Sequence, residues 1–362
     1  MAYTTIDDPS AYFQTALYTG NGTAIGSGGL TITNDGNSDL QPDWIWHKKR
    51  GNAESHAVAD TNRGTHKGLF TDLSQAVSSG GNQYVNSFNT DGFTVGNVGW
   101  ANDSSQTYVA WQWKANGGTT TSGGSDDTVS TSAHQANTTA GFSIVTYSGT
   151  GTQGHTVAHG LGVAPEVIFL KARNKSQNWR VFHHKTASDG TKRLILDQTN
   201  AQEDAAFLND TAPSSTVFTL GASDDAWNAS DGTYVAYCFA PIQGYSKFGS
   251  YTGNNNADGP FIYTGFKPAW VMIKESSGNG NSWLILDNKR DDVNPVDLCL
   301  LADNSAAESD EPDQADFLSN GIKLRANNSD ARQSNNDGNT YIYMAFAEHP
   351  FVSSKGVPVT AR

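Results

Sequence analysis

Chemistry in a protein starts with side chains that can share a proton, a metal or a nucleophile, and this sequence offers few such sets. His155 and His159 stand four apart, a metal spacing on a helix, but the segment reads as a β-hairpin, where the two rings are not one turn apart. In a strand, His183 and His184 would point to opposite sheet faces, one buried and one exposed. Oxygen-rich clusters occur at Ser223-Asp224-Asp225, Ser230-Asp231-Gly232 and Asn335-Asn336-Asp337-Gly338. Calcium could use such oxygens, yet Asp-Gly and Asn-Gly are first of all turn formers. The phrase Gly160-Leu161-Gly162-Val163-Ala164-Pro165 leads into a strand, so it offers no helix N-terminus to a phosphate. Cys238 and Cys299 lie on different strand-like segments and read as two small buried thiols. A Gly-x-Ser-x-Gly elbow and a His-Glu-x-x-His pair are both missing from the sequence. The expectation is therefore no enzyme, no metal and no cofactor.

Aromatics are the more informative class, because stacking on a sugar needs Trp or Tyr outside the core. The candidates are Trp44, Trp46, Trp100, Trp179, Trp227 and Trp270. Strand alternation turns some of them away from the core of their own repeat, where packing between neighbouring domains or subunits is favoured over sugar binding.

The elements that position these residues recur three times. A Pro-led strand appears as Pro42-Asp43-Trp44-Ile45-Trp46-His47-Lys48, as Pro165-Glu166-Val167-Ile168-Phe169-Leu170-Lys171 and as Pro268-Ala269-Trp270-Val271-Met272-Ile273-Lys274. Upstream lies an aromatic-Ser/Thr-Gly turn, at Tyr18-Thr19-Gly20, Tyr147-Ser148-Gly149 and Tyr251-Thr252-Gly253. Downstream, a closing strand begins Thr107-Tyr108, Thr233-Tyr234 and Thr340-Tyr341. Alternate closing-strand positions Val109/Trp111/Trp113, Val235/Tyr237/Phe239 and Ile342/Met344/Phe346 are bulky and apolar, and should form the core of each repeat. The matched Lys48, Lys171 and Lys274 are expected to snorkel or bond a neighbouring carbonyl.

Short β-rich runs between Gly/Asn/Asp/Ser turns predict an all-β chain of three tandem antiparallel, jelly-roll-like β-sandwich domains. The expected division is an N-terminal arm at 1–12, a first repeat at 13–116, a Gly/Thr/Ser-rich linker at 117–139, a second repeat at 140–243 and a third at 244–362. Within the third, the acidic stretch from Ala302 to Asp316 reads as an exposed loop. The chain has 362 residues and a formal charge of −13, with only 16% charged residues, which argues against nucleic acid or an anionic membrane as a partner. The first ten residues carry no basic or apolar leader pattern, and no run approaches a membrane span, so neither secretion through a leader nor membrane insertion is expected.

With those motifs in view, the sequence resembles virion structural and tail-fibre-like proteins of marine bacteriophages, the cyanophages and their relatives. The residues that carry the resemblance are MAYTTIDDPSAYFQTALYTGNG at the start, Asn34 to Trp44, and Gly141 to Tyr147 continuing through His159-Gly160-Leu161-Gly162-Val163-Ala164-Pro165, which resembles a hairpin of phage fibre and adhesin modules. The resemblance implies a non-enzymatic particle component in the virion, placed in the tail-fibre or adhesin apparatus. Its implied partners are further copies of itself, with a trimer as the first analogy, other virion proteins through the N-terminal arm, and the host surface glycan. A capsid-decorating protein and a lectin-like module are the alternatives. A polysaccharide depolymerase would need converging acids that the sequence does not display.

Overall fold

The computed structural model describes residues 2–79, 81, 83–124, 126–327 and 334–359. The protein is all-β and antiparallel; among the described residues the one α-helix is the single turn Gly99–Asn102. Three large sheets share one strand order, in which the closing strand runs between the opening strand and the Pro-led strand. In the first sheet the order is Phe13–Thr19, Thr107–Trp113, Trp44–Lys49, Ala57–Asp60, Leu69–Phe70. The second repeats it as Phe142–Ser148, Thr233–Phe239, Val167–Ala172, Arg180–His183, Lys192–Ile195. The third does so as Ser246–Thr252, Thr340–Pro350, Phe266–Glu275, Leu284–Asp287, Val296–Leu301. Pro268 lies inside its strand, and because it has no N–H to give the ladder, the register slips on both sides of it.

The bulky closing-strand face does not make three separate cores. Trp111, Trp113, Tyr237, Phe239, Met344 and Phe346 meet in one central cluster with Trp44, Trp46, Trp179, Trp270 and Trp283. Three sheets turn their heaviest face inward at once, and each supplies the wall that the other two need. The opposite face is the private one. There Ala110, Tyr234 and Ala236 pack under smaller strands such as Leu30–Ile32, Phe93–Val95, Thr156–Ala158 and Val217–Thr219, and Tyr341 and Tyr343 cluster with Ile262 and Ile322.

Three segments differ from the sequence reading. Residues 117–139, expected as a linker, hold the strands Thr121–Ser122 and Ala133–Asn137, which extend the second sheet beyond its opening strand. Polar Thr, His and Gln hide this strand from a hydrophobic count, because its pairing rests on backbone and not on apolar burial. The acidic stretch 302–316 is no simple loop, since Ser309–Leu318 is a strand that carries its Asp and Glu on a partly exposed face and buries Ala315 and Phe317. The N-terminal arm lies down on the body: Ile6 enters the central cluster, Tyr3 donates through its hydroxyl to the Gly265 carbonyl at 2.8 Å, and Asp7 accepts from the Ser354 amide.

Candidate functional site at the junctions between repeats

Where two sheets meet, the same contacts are built three times. Lys48, Lys171 and Lys274 end their Pro-led strands fully buried, and their ammonium groups donate to main-chain carbonyls. Each reaches across to the neighbouring repeat: Lys48 to Ser305 at 3.2 Å, Lys171 to Ser74 at 2.6 Å and Lys274 to Thr199 at 2.7 Å. Lys171 and Lys274 also bond Gln177 and Asn281 of their own repeats. Two residues before each accepting carbonyl stands a half-buried acid, Asp303, Asp72 or Asp197, which takes an amide proton from Trp283, His56 or Trp179. Three residues after the same carbonyl a main-chain amide returns the contact, from Glu308 to Arg50, from Val77 to Arg173 and from Gln202 to Ser276. Indole protons close the seam, Trp179 donating to Phe70 and Trp283 to Ile195, with His56 beside the Leu301 carbonyl in the first repeat. Repeat one thus reaches repeat three, two reaches one and three reaches two: a closed, head-to-tail ring with internal threefold pseudosymmetry.

Burial sets the electrostatics of this ring. The three lysines are pushed down to about 8 by desolvation, only partly opposed by the nearby carboxylates. Asp72, Asp197 and Asp303 are pushed up for the same reason. Farther in, Trp111 donates to Asp287 at 3.0 Å and Tyr237 to Asp60 at 2.6 Å, across two different junctions. Each acid is held by a buried arginine of its own repeat, Arg290 and Arg63. These paired, hydrogen-bonded charges fix which sheet meets which.

A second threefold device anchors the outer end of each sheet. Asn102, Asn228 and Asn335 are buried, each six residues before the first closing-strand tyrosine. Their side-chain oxygens accept amide protons from Asn21, Thr150 and Asn254, just past the aromatic-Ser/Thr-Gly turn. The tyrosines pair across the strands as Tyr18/Tyr108, Tyr147/Tyr234 and Tyr251/Tyr341, stacked at 5.1, 5.0 and 4.9 Å. The turn glycines are compulsory. A Cβ at Gly20, Gly149 or Gly253 would run into the carbonyl oxygen of Asp103, Ala229 or Asn336. Sequence reasoning missed Asn102 and Asn228 and met Asn335 only as part of an oxygen-rich turn, although their constant spacing to the tyrosine was there to be read.

Of the six aromatic candidates, Trp44, Trp46, Trp179 and Trp270 lie inside the shared core, packing between repeats and closed to any glycan. Trp100 is half-buried against Phe70 and Tyr84 of its own repeat. Trp227 is half-exposed, flanked by the guanidinium groups of Arg180 and Arg193 at 5.8 and 5.6 Å. Both cysteines are buried thiols. His183 is buried and His184 half-exposed, as alternation requires. His159, just past the strand Thr156–Ala158, is fully buried, pushed down to about 4, and takes the Leu161 amide at Nδ1.

Two grooves open at the junctions. One, of about 280 Å³, lies between repeats three and one, with Asp35, Lys289 and His349 on its walls. The other, of about 500 Å³, lies between repeats two and three, with Glu166, His184, Lys185, Lys247 and Tyr263 on its walls. Glu166 is pushed up by burial and stands 3.2 Å from His184.

Fold and junctions together define a class, an all-β chain closed on itself through three pseudo-equivalent interfaces. The chain belongs to the family described as Domain of unknown function (DUF7483), whose model matches residues 8–350 and so takes in all three repeats. No curated protein and no solved structure matches it.

Proposed function

We propose that this chain is a non-enzymatic structural protein of a phage particle, part of the tail-fibre or adhesin apparatus, which assembles with copies of itself and with neighbouring virion proteins and meets the host surface. The observation that supports this reading best is the single core drawn from all three repeats. No repeat can unfold without exposing the tryptophans of the other two, which suits a component that must outlast its host. The resemblance of the opening residues and of the His159 to Pro165 hairpin to phage fibre modules gives the particle its name. The N-terminal arm, which leaves Ala2, Thr5 and Asp7 exposed while Ile6 is buried, is the proposed contact with the rest of the virion.

The test is to tag the C-terminus and image purified particles. Density at the tail in multiples of three or six is expected. Label spread over the capsid would overturn the tail placement in favour of a decorating protein, and particles without label would overturn the virion reading.

A further inference from the structure

The three junctions are built alike, and their differences point to one that is left open. The residue after the proline of each Pro-led strand is Asp43, Glu166 or Ala269, and the residue two beyond the bulky end of each closing strand is Ala115, Pro241 or Glu348. In the first repeat the chain fills this place itself. Asp43 accepts the amides of Ala115 at 2.7 Å and Gly117 at 2.9 Å, and the Thr61 hydroxyl at 2.9 Å. In the third, Ala269 brings no carboxylate. The second keeps the acid and loses its cap: Pro241 has no N–H to donate, so Glu166 faces the groove with His184.

The far wall of that groove belongs to the third repeat. The edge strand Phe261–Tyr263 alternates outward, inward, outward, which leaves the rings of Phe261 and Tyr263 side by side on one face, each 48% exposed. Large aromatics are seldom left half bare on an edge strand without a partner. Lys247 lies 5.2 Å over the Tyr263 ring and donates to its carbonyl, and Lys185 stands exposed near Glu166. Two ammonium groups against one carboxylate give the groove a local positive balance on a chain whose formal charge is −13.

We propose that this groove binds an acidic saccharide. Its sugar rings stack on Tyr263 and Phe261, its hydroxyls donate to Glu166 and to Nδ1 of His184, whose Nε2 donates to the Phe248 carbonyl at 3.1 Å, and its carboxylate pairs with Lys185 and Lys247. Aromatic faces match the C–H face of a pyranose, a carboxylate and an imidazole satisfy vicinal hydroxyls, and about 500 Å³ accommodates two or three sugar units. The proposal does not depend on where the chain sits in a particle, so its failure and that of the virion reading are separable.

The experiment is calorimetric titration of the purified full chain with trigalacturonate and, as the neutral probe, maltotriose. Binding of trigalacturonate is expected, weakened about tenfold by Tyr263→Ala and again by Lys247→Ala, and falling with added salt. Lys289→Ala, in the other groove, should change nothing. Both wall substitutions lie at exposed or half-exposed positions, and unchanged melting temperatures would show that they leave the fold intact. No heat with trigalacturonate, or binding indifferent to Tyr263→Ala, would overturn the site; equal affinity for maltotriose would overturn its acidic preference. Sedimentation of the same samples gives the remaining outcome. A dimer abolished by Tyr263→Ala would show that the aromatic shelf seats a second copy of this chain, which also overturns the saccharide.

Discussion

Raising the pH from 7.5 to 9.5 should stabilise this protein, and the buried lysines say by how much. Lys48, Lys171 and Lys274 titrate near 10.5 in the unfolded chain and at about 8 in the folded one. Between those values the unfolded chain binds more protons than the native one, so stability rises with pH. For each lysine the penalty of keeping the ammonium buried is about 3 kcal/mol at pH 7.5, of which about 2 kcal/mol is gone by pH 9.5. The charges that face them are Asp72, Glu54, Lys49 and Glu308 at Lys48, Asp197 and Arg180 at Lys171, and Asp303 and Glu275 at Lys274. Three lysines acting independently, in a chain of this length, raise the melting temperature by roughly 7 to 8 °C. Above pH 10 the trend must reverse, because Tyr18, Tyr147, Tyr237 and Tyr251 are held by burial well above the usual phenol range and the unfolded phenols ionise first. Differential scanning fluorimetry across pH 7 to 11 reads the whole curve, and Lys171→Met should remove about a third of the rise. A melting temperature flat or falling from pH 7.5 to 9.5 would refute the argument that three ammonium groups are buried without full compensation.

Further outcomes follow from the core and the anchors. Trp270→Ala should cost about 3 to 5 kcal/mol and lower the denaturant midpoint of a single transition, with no repeat unfolding separately when fluorescence and far-ultraviolet dichroism are compared. Asn228→Ala strips partners from Thr150, Thr152 and Gly221 at once and should cost about 2 to 4 kcal/mol by urea denaturation, with Asn102→Ala and Asn335→Ala close to it. Gly149→Ala drives a methyl into the Ala229 carbonyl and should destabilise by more than about 1 kcal/mol, whereas Gly26→Ala, with open space around it and no left-handed φ, should cost less. Thr5→Arg, at an exposed position of the arm, should leave the melting temperature unchanged yet reduce incorporation into particles, scored by immunoblot of purified virions.

The repeat was legible because it is written in strands that carry their own punctuation: Pro before, Lys after, Thr-Tyr at the next entry. Alternation at Val109/Trp111/Trp113 marked a buried face correctly but could not say against what, since period two gives a face and never a neighbour. That is why Trp44, Trp46, Trp179 and Trp270 were offered as interface or glycan-contact candidates without a named neighbour; they pack between repeats in the shared core. Lys48, Lys171 and Lys274 were visible as a matched set. Their acceptors were not, for a main-chain carbonyl such as Ser74 or Thr199 has no signature in side-chain types. The strands Ala133–Asn137 and Ser309–Leu318 escaped for a related reason, their pairing being carried by backbone beneath polar or acidic side chains. The groove at Glu166 was hidden because its meaning lies in a comparison, Pro241 where Ala115 stands, and that comparison needs the register of the strands.

A ring assembled from three identical subunits carries every change three times over, so a substitution that improves one junction is imposed on all. Here the three positions are separate codons. Lys48, Lys171 and Lys274 could stay fixed to keep the ring shut while the residues beside them drifted apart, to Asp43 under its own cap, to Glu166 beside a proline and to Ala269 with no acid at all. Joining the repeats in one chain thus turns a symmetric assembly into three addresses, each free to acquire a different occupant without loosening the others.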